Sequence, residues 1–229
     1  MFEIKRFLKN LTVFIAISLA MIPFSDGVPF DAVKLVMMPF YYEEKQLVIM
    51  AFLYNTALFI ISFIIIANEI GTRFSMNDYV LTRISKRKTG IKNLTWSFKT
   101  AFSLSAAKII ADLIFSRSQS LKDIFNIDFW LGSLSFLLTI LIWNNIIIIL
   151  KSVHIRDKSI MFVSLAMGIV TQAFSLRLPV LGILNMVPAT FESSPLIWIS
   201  VKIFTVLLLS FAVLVSFEKY ESLGEIKND

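Results

Sequence analysis

The chain predicts an all-α integral membrane fold with six transmembrane helices and both termini cytoplasmic, on three observations. Its 229 residues are 57% hydrophobic and only 17% charged, with a mean hydropathy of +0.78, leaving too little polar surface for a water-soluble domain of this size. It carries 22 Phe against 7 Gly, and nothing alternates with the two-residue period of a membrane barrel. Apolar runs of about 20 residues, the length a helix needs to cross about 30 Å of hydrocarbon, recur along it.

The six candidate spans lie at about 10–25, 47–68, 97–116, 129–150, 160–178 and 196–217. The first is short and follows Lys5, Arg6 and Lys9, so a cleaved signal peptide is its rival reading. Against cleavage, "SLAMIPFSDG" has no small-x-small site, and five remaining spans would break the paired topology. The third carries Lys108 and Asp112. Placed on this topology, Lys5, Arg6, Lys9, Arg73, Arg83 and Lys86 fall on one side. So do Arg87, Lys88, Lys92, Lys151, Arg156, Lys158, Lys219 and Lys227. Lys34, Lys45, Arg117, Lys122 and Arg177 fall on the other. Basic residues stay cytoplasmic, which puts both ends inside. Residues 1–217 read as one transmembrane domain, and 218–229 as a polar cytoplasmic tail with a frayed end.

Ahead of the first span, Ile4, Phe7, Leu8 and Leu11 repeat at helical spacing around Lys5, Arg6 and Lys9. That pattern predicts a short amphipathic helix in the headgroup layer, or a basic segment that only holds the terminus inside. The stretch "LRLPVLGILNMVPATFESSP" between spans five and six is too apolar for an ordinary loop and too short to cross twice. Pro179 and Pro188 divide it into pieces that fit a re-entrant hairpin or an interface-dipping loop.

The longest cytoplasmic loop is 69–96. In it "SMNDYVLTRIS" predicts a short helix, with Ser75 as N-cap, Asp78 completing a capping box and Gly90 as a stop further on. Phe74, Val80, Leu81 and Ile84 would give the helix an apolar side. Such a helix either rests on anionic lipid or plugs into a partner.

Glu69, Gly71 and Thr72 at the end of the second span, followed by "VLTRISKRKTGIK" with its Ser85–Arg87 turn and Lys92, resemble the membrane subunits of type-2 ABC transporters. The similarity is greatest to small permeases of Gram-positive bacteria that move peptides such as lantibiotics or give immunity to them. The likeness covers the whole chain in layout and residues 69–92 in detail. Only Ile70 separates Glu69 from Gly71, closer than in the usual family pattern. The resemblance implies a coupling helix in loop 69–96, a permease dimer formed with itself or a sister permease, and an exit-capping hairpin before the last span. It also implies a separate ATPase subunit that supplies ATP and magnesium.

The sequence contains no G-x-x-x-x-G-K-[ST] phosphate cradle, so this chain has no ATPase motif of its own and binds no cofactor by that route. The expected ATPase contacts are Glu69, Asp78, Tyr79, Leu81 and Arg83, with His154 and Arg156 in the loop 151–159 as a secondary contact. The cargo expected is a peptide or other amphipathic molecule, in the bacterial plasma membrane, with no nucleic acid.

Ionised groups inside a bilayer need a reason. Lys108 and Asp112 stand one helical turn apart, and Lys202 lies at a similar depth. Either Asp112–Lys108 or Asp112–Lys202 forms a neutralising pair, or the three line a route for cargo. Asn55, Thr56, Asn144 and Asn145 bond to neighbouring helices or line a pore, a choice the sequence leaves open. Small residues repeat at Ser103, Ala107 and Ala111, and again at Ser164 and Gly168, as close helix packing requires.

Two other functions fit the topology: an ion-coupled secondary transporter using Asp112, Lys108 and Lys202, and a non-transporting immunity or assembly protein. An intramembrane protease fits poorly. There is no G-x-S-G setting, no second membrane aspartate and no cysteine, and the single histidine, His154, lies in a loop.

Overall fold

The structure, a computed structural model, describes residues 2–25, 31–32, 45–73, 86–116, 125–152, 159, 162–163, 165–170 and 195–225. The described residues are helical, with no strand among them. In chain order they form α1 (Phe2–Met21), a 3-10 turn (Ile22–Ser25), α2 (Lys45–Arg73), α3 (Lys86–Ile114), α4 (Ile127–Ser152) and α5 (Pro195–Glu225). A further helical stretch covers 165–170.

Local chemistry sets several of the ends. Pro23, which cannot supply an N–H to a continuing helix, lies in the 3-10 turn that closes α1. Asn126 begins α4 by accepting the Asp128 backbone N–H on Oδ1 at 3.2 Å. Asp128 in its first turn and Lys151 in its last match the helix dipole. Several hydroxyls within the helices donate to backbone oxygens one turn earlier, as with Thr139 on Ser135 at 2.9 Å and Thr205 on Val201 at 2.8 Å.

The core lies among α1, α2, α3 and α4. α1 turns Phe14, Ile17 and Met21 inward, and α2 contributes Tyr54, Leu58, Phe59, Phe63 and Ile66. α3 presents Ala101, Leu104, Ala107 and Ala111. Small alanines there let large rings from the neighbours come close. Trp143 of α4 meets Phe59 at 5.3 Å and Phe63 at 6.0 Å in edge-to-face contacts. α4 is central, with 72% of its apolar window buried against 17% for α5. A smaller cluster of Ile148, Val213 and Phe217 joins α5 to α4.

Side-chain bonds between helices give their directions. Arg6 and Glu69 meet Thr100 at one level, whereas Tyr54 meets Asp112 at another, so α2 runs opposite to α3. Phe14 meets Phe136 edge-to-face, and the Phe136 ring holds Lys108, so α1 runs with α3. Asn144 reaches Ser97 while Phe136 reaches Lys108, so α4 runs opposite to α3. Lys202 bonds Ser135 and Thr139 while Ser210 bonds Asn145. α4 and α5 are therefore parallel neighbours.

Several expectations change. Six spans are not supported by the described helices: two, Ile127–Ser152 and Leu196–Phe217, are long and apolar enough to cross a membrane. In α2 the apolar part described is the shorter Leu53–Ala67. α1 has Lys5, Arg6 and Lys9 in its first half, and the expected third span contains Lys99, Lys108 and Asp112. The fifth span is described only in part, and the hairpin between spans five and six lies outside the described residues.

The amphipathic segment and the first span are one continuous helix, because no breaker stands between Phe2 and Met21. Within it Phe7 and Leu11 pack on the core, but Ile4 and Leu8 are exposed. Helix takes up 69–73 and 86–96 of the expected loop, since α2 extends to Arg73 and α3 starts at Lys86, and 74–85 lie outside the described residues. Gly90 is no stop but a buried position inside α3. A Cβ there would lie 3.2 Å from Leu214 of α5, a close approach that the missing side chain permits. α5 continues through the start of the expected tail to Glu225.

Candidate functional site

Two polar tiers tie the core helices together. At one end Arg6 of α1 forms an ion pair with Glu69 of α2 and donates from Nη2 to Thr100 Oγ1 of α3 at 2.6 Å. Its guanidinium also sits 5.7 Å from the centre of the Trp96 ring. The Arg6 and Glu69 side chains are 13% and 20% exposed, so water weakens this pair little. Three helices meet on one arginine here, just where α2 hands over to 74–85.

The second tier lies ~18 Å further along α3 at about 1.5 Å per residue. Lys108 pairs with Asp112 one turn away, and Tyr54 donates its hydroxyl to Asp112 Oδ1 at 2.8 Å. The Lys108 ammonium lies 5.3 Å from the Phe136 ring centre and 5.8 Å from that of Tyr54. Lys108 and Asp112 are 1% and 0% exposed. Opposite charges in contact keep this tier neutral, and aromatic faces hold the rest of the cation.

Lys202 takes the other side of α4. It donates to Ser135 Oγ and Thr139 Oγ1, both at 2.7 Å. These hydroxyls stand one turn apart and flank Phe136, so Lys202 and the Lys108–Asp112 pair share a level. The depth counted from the span ends is right, and of the two carboxylate pairings expected, the one formed is Lys108–Asp112.

Asn144 donates to the Ser97 carbonyl at 3.1 Å and Asn145 to Ser210 Oγ at 3.0 Å. Both are buried and bond to neighbouring helices, the first of the two roles open for them. Asn55 is half-buried on α2. Ala107 and Ala111 are buried as the small-residue row predicts. Gly168 lies against the end of the Phe59 ring, where a Cβ would overlap that ring. Asp78, Tyr79, Leu81 and Arg83 lie outside the described residues, as do His154 and Arg156.

Glu69, expected as a coupling-helix contact, is turned onto Arg6. Sequence reasoning missed that partnership, although a signal existed: an acid closing an apolar run and an arginine beside another, both at the same end. Chemically the tiers act as cross-braces. The first joins α1 to α2 by an ion pair, and the second, whose ion pair lies within α3, joins α3 to α2 through the Tyr54–Asp112 hydrogen bond.

Comparison with protein-family models, with curated proteins and with solved structures gives no match.

Proposed function

We propose that the chain is the membrane-spanning permease subunit of an ATP-driven (ABC) exporter, energised by a separate ATPase subunit. The observation that carries this reading is the Arg6–Glu69–Thr100 brace at the foot of 74–85. A coupling element transmits a partner's closure only if its base is stiff. Here the end of α2 is held to α1 and α3 immediately before the segment whose residues resemble the ABC coupling loop.

Helix directions favour more than the two crossings that length and apolarity alone give. α4 and α5 are both long and apolar enough to cross a bilayer, and they run parallel. A chain that crosses twice in one direction must recross between. The stretch 165–170, with Gly168 against Phe59 of α2, places part of the intervening chain beside the core. The outward side of α5, with Ile203, Phe204, Leu207 and Phe211 exposed, suits hydrocarbon better than water. On this reading the Arg6 end is cytoplasmic, the membrane is the bacterial plasma membrane, and a second permease, identical or a sister, completes the pathway. The cargo is a peptide or another amphipathic molecule.

The bonding of Asp112 to Lys108 and Tyr54 favours a brace over an exchangeable ion site, and so weighs against an ion-coupled carrier. The test is co-purification from native membranes. Leu81→Asp is expected to abolish association with an ATPase while membrane insertion persists. A variant that retains the ATPase at normal yield overturns the docking assignment.

A further inference from the structure

We infer that the end of the bundle formed by the start of α1 and the first half of α3 is a binding surface for anionic lipid headgroups of the cytoplasmic leaflet. The inference rests on the membrane placement proposed above and on no contact with an ATPase. α1 and α3 run in the same direction, and Arg6 of one reaches Thr100 of the other, so the start of α1 lies beside the first half of α3, with Lys5 near the level of Lys99. There Lys5 and Lys9 of α1 are exposed, as are Arg87, Lys88, Lys92 and Lys99 of α3.

On α1 and α3 acids are few: α3 contains no Asp or Glu before Asp112, α1 contains only Glu3, and Glu69 of α2 is turned onto Arg6. The end of α5, beside Gly90, adds Glu218, Glu221 and Glu225. Apolar side chains stand exposed among the cations: Ile4, Leu8, Ile91, and Phe98 at 55% exposure. Further along α3 the exposed surface becomes wholly apolar at Phe102, Ile110 and Ile114.

That order of chemistry matches a headgroup boundary. Lys151, in the last turn of the bilayer-length α4, lies at this same end, so Lys88 and Lys92 fall near the polar edge of the hydrocarbon. Lys99 is about two turns deeper. Its four-carbon stem is long enough to reach back toward the phosphate layer, as lysines near helix ends do. Nucleic acid would satisfy the cations but leave the exposed isoleucines and phenylalanines in water. An anionic lipid supplies both the phosphate and the acyl chain.

The test uses the purified full chain in phosphatidylcholine vesicles, with exchange of spin-labelled phosphatidylglycerol measured against spin-labelled phosphatidylcholine. The expected result is an association preference of about fivefold for phosphatidylglycerol, the order expected for one basic residue near an anionic surface. Raising salt from about 0.1 M to about 1 M should reduce it, as the screening length falls from ~10 Å to ~3 Å. The quadruple variant Lys5→Gln, Lys9→Gln, Lys92→Gln, Lys99→Gln is expected near unity, and the same four positions changed to Arg should keep the preference. Lys99→Gln alone and the salt titration of the unaltered chain keep the test decisive if the quadruple variant does not fold.

A preference near unity in the unaltered chain overturns the inference, and so does an unchanged preference in the Gln variants. Loss of a co-purifying protein with lipid preference intact also overturns it, marking a protein interface instead. Absence of any ATPase partner would sink the exporter reading but leave the lipid preference standing.

Discussion

Tyr54 of α2 donates its hydroxyl to one oxygen of Asp112 on α3, while Lys108 holds the other. Removing the carboxylate leaves a buried ammonium without its counter-charge. Asp112→Asn is expected to destabilise the protein by about 3–5 kcal/mol. Tyr54→Phe, which removes one bond to a charged acceptor, should cost about 1.5–3 kcal/mol. The double change Lys108→Met with Asp112→Leu is expected to lie close to the native protein, because it removes the desolvation penalty with the pair. Thermal unfolding in detergent reads all three. If Asp112→Asn alone is neutral, the brace is wrongly assigned.

Arg6 and Glu69 offer a reciprocal test. Arg6→Glu puts two carboxylates side by side under little solvent and should lower stability by about 2–4 kcal/mol. Adding Glu69→Arg should restore at least half of the loss, although Thr100 and Trp96 are then addressed from the wrong helix. Melting in detergent measures the stability cycle, and ATPase co-purification shows whether the brace also governs coupling.

Gly168 lies against Phe59, whose ring is packed between Phe63 and Trp143. Gly168→Leu is expected to cost about 1–3 kcal/mol through overpacking. Combining it with Phe59→Ala should recover part of that loss. A Gly168→Leu protein that melts like the native one would place 165–170 elsewhere.

Lys202 is held by two hydroxyls of α4. Lys202→Met should change stability by less than about 1 kcal/mol, because a methionine of similar length avoids burying a charge. Ser135→Ala with Thr139→Val removes two of the lysine's acceptors and should cost about 2–4 kcal/mol. The order of these two variants in a thermal melt is the check, and the reverse order contradicts the assigned bonds.

The helices of the core were legible because apolar runs act locally. The shared depth of Lys202 and Asp112 was legible for the same reason, since rise per residue converts position into height. Rotation about each helix axis is what sequence spacing does not carry. Lys202 and Asp112 share a level, but α4 stands between them with Phe136 facing one and Ser135 and Thr139 the other. Gly90 illustrates a second limit. A glycine after a basic run reads as a helix end, whereas here it makes room for Leu214 from a distant part of the chain. Arg6 and Glu69 are 63 residues apart, and only the packing of α1 against α2 and α3 makes them neighbours.

The central claim is that 74–85 receives mechanical work from a nucleotide-hydrolysing partner. Replacing Tyr79 with p-benzoylphenylalanine and irradiating native membranes tests it directly. The account predicts a crosslinked species containing an ATPase subunit, at an efficiency that changes when ATP is added. Crosslinks to lipid alone, or labelling of position 79 by an impermeant reagent from outside the cell, would contradict it.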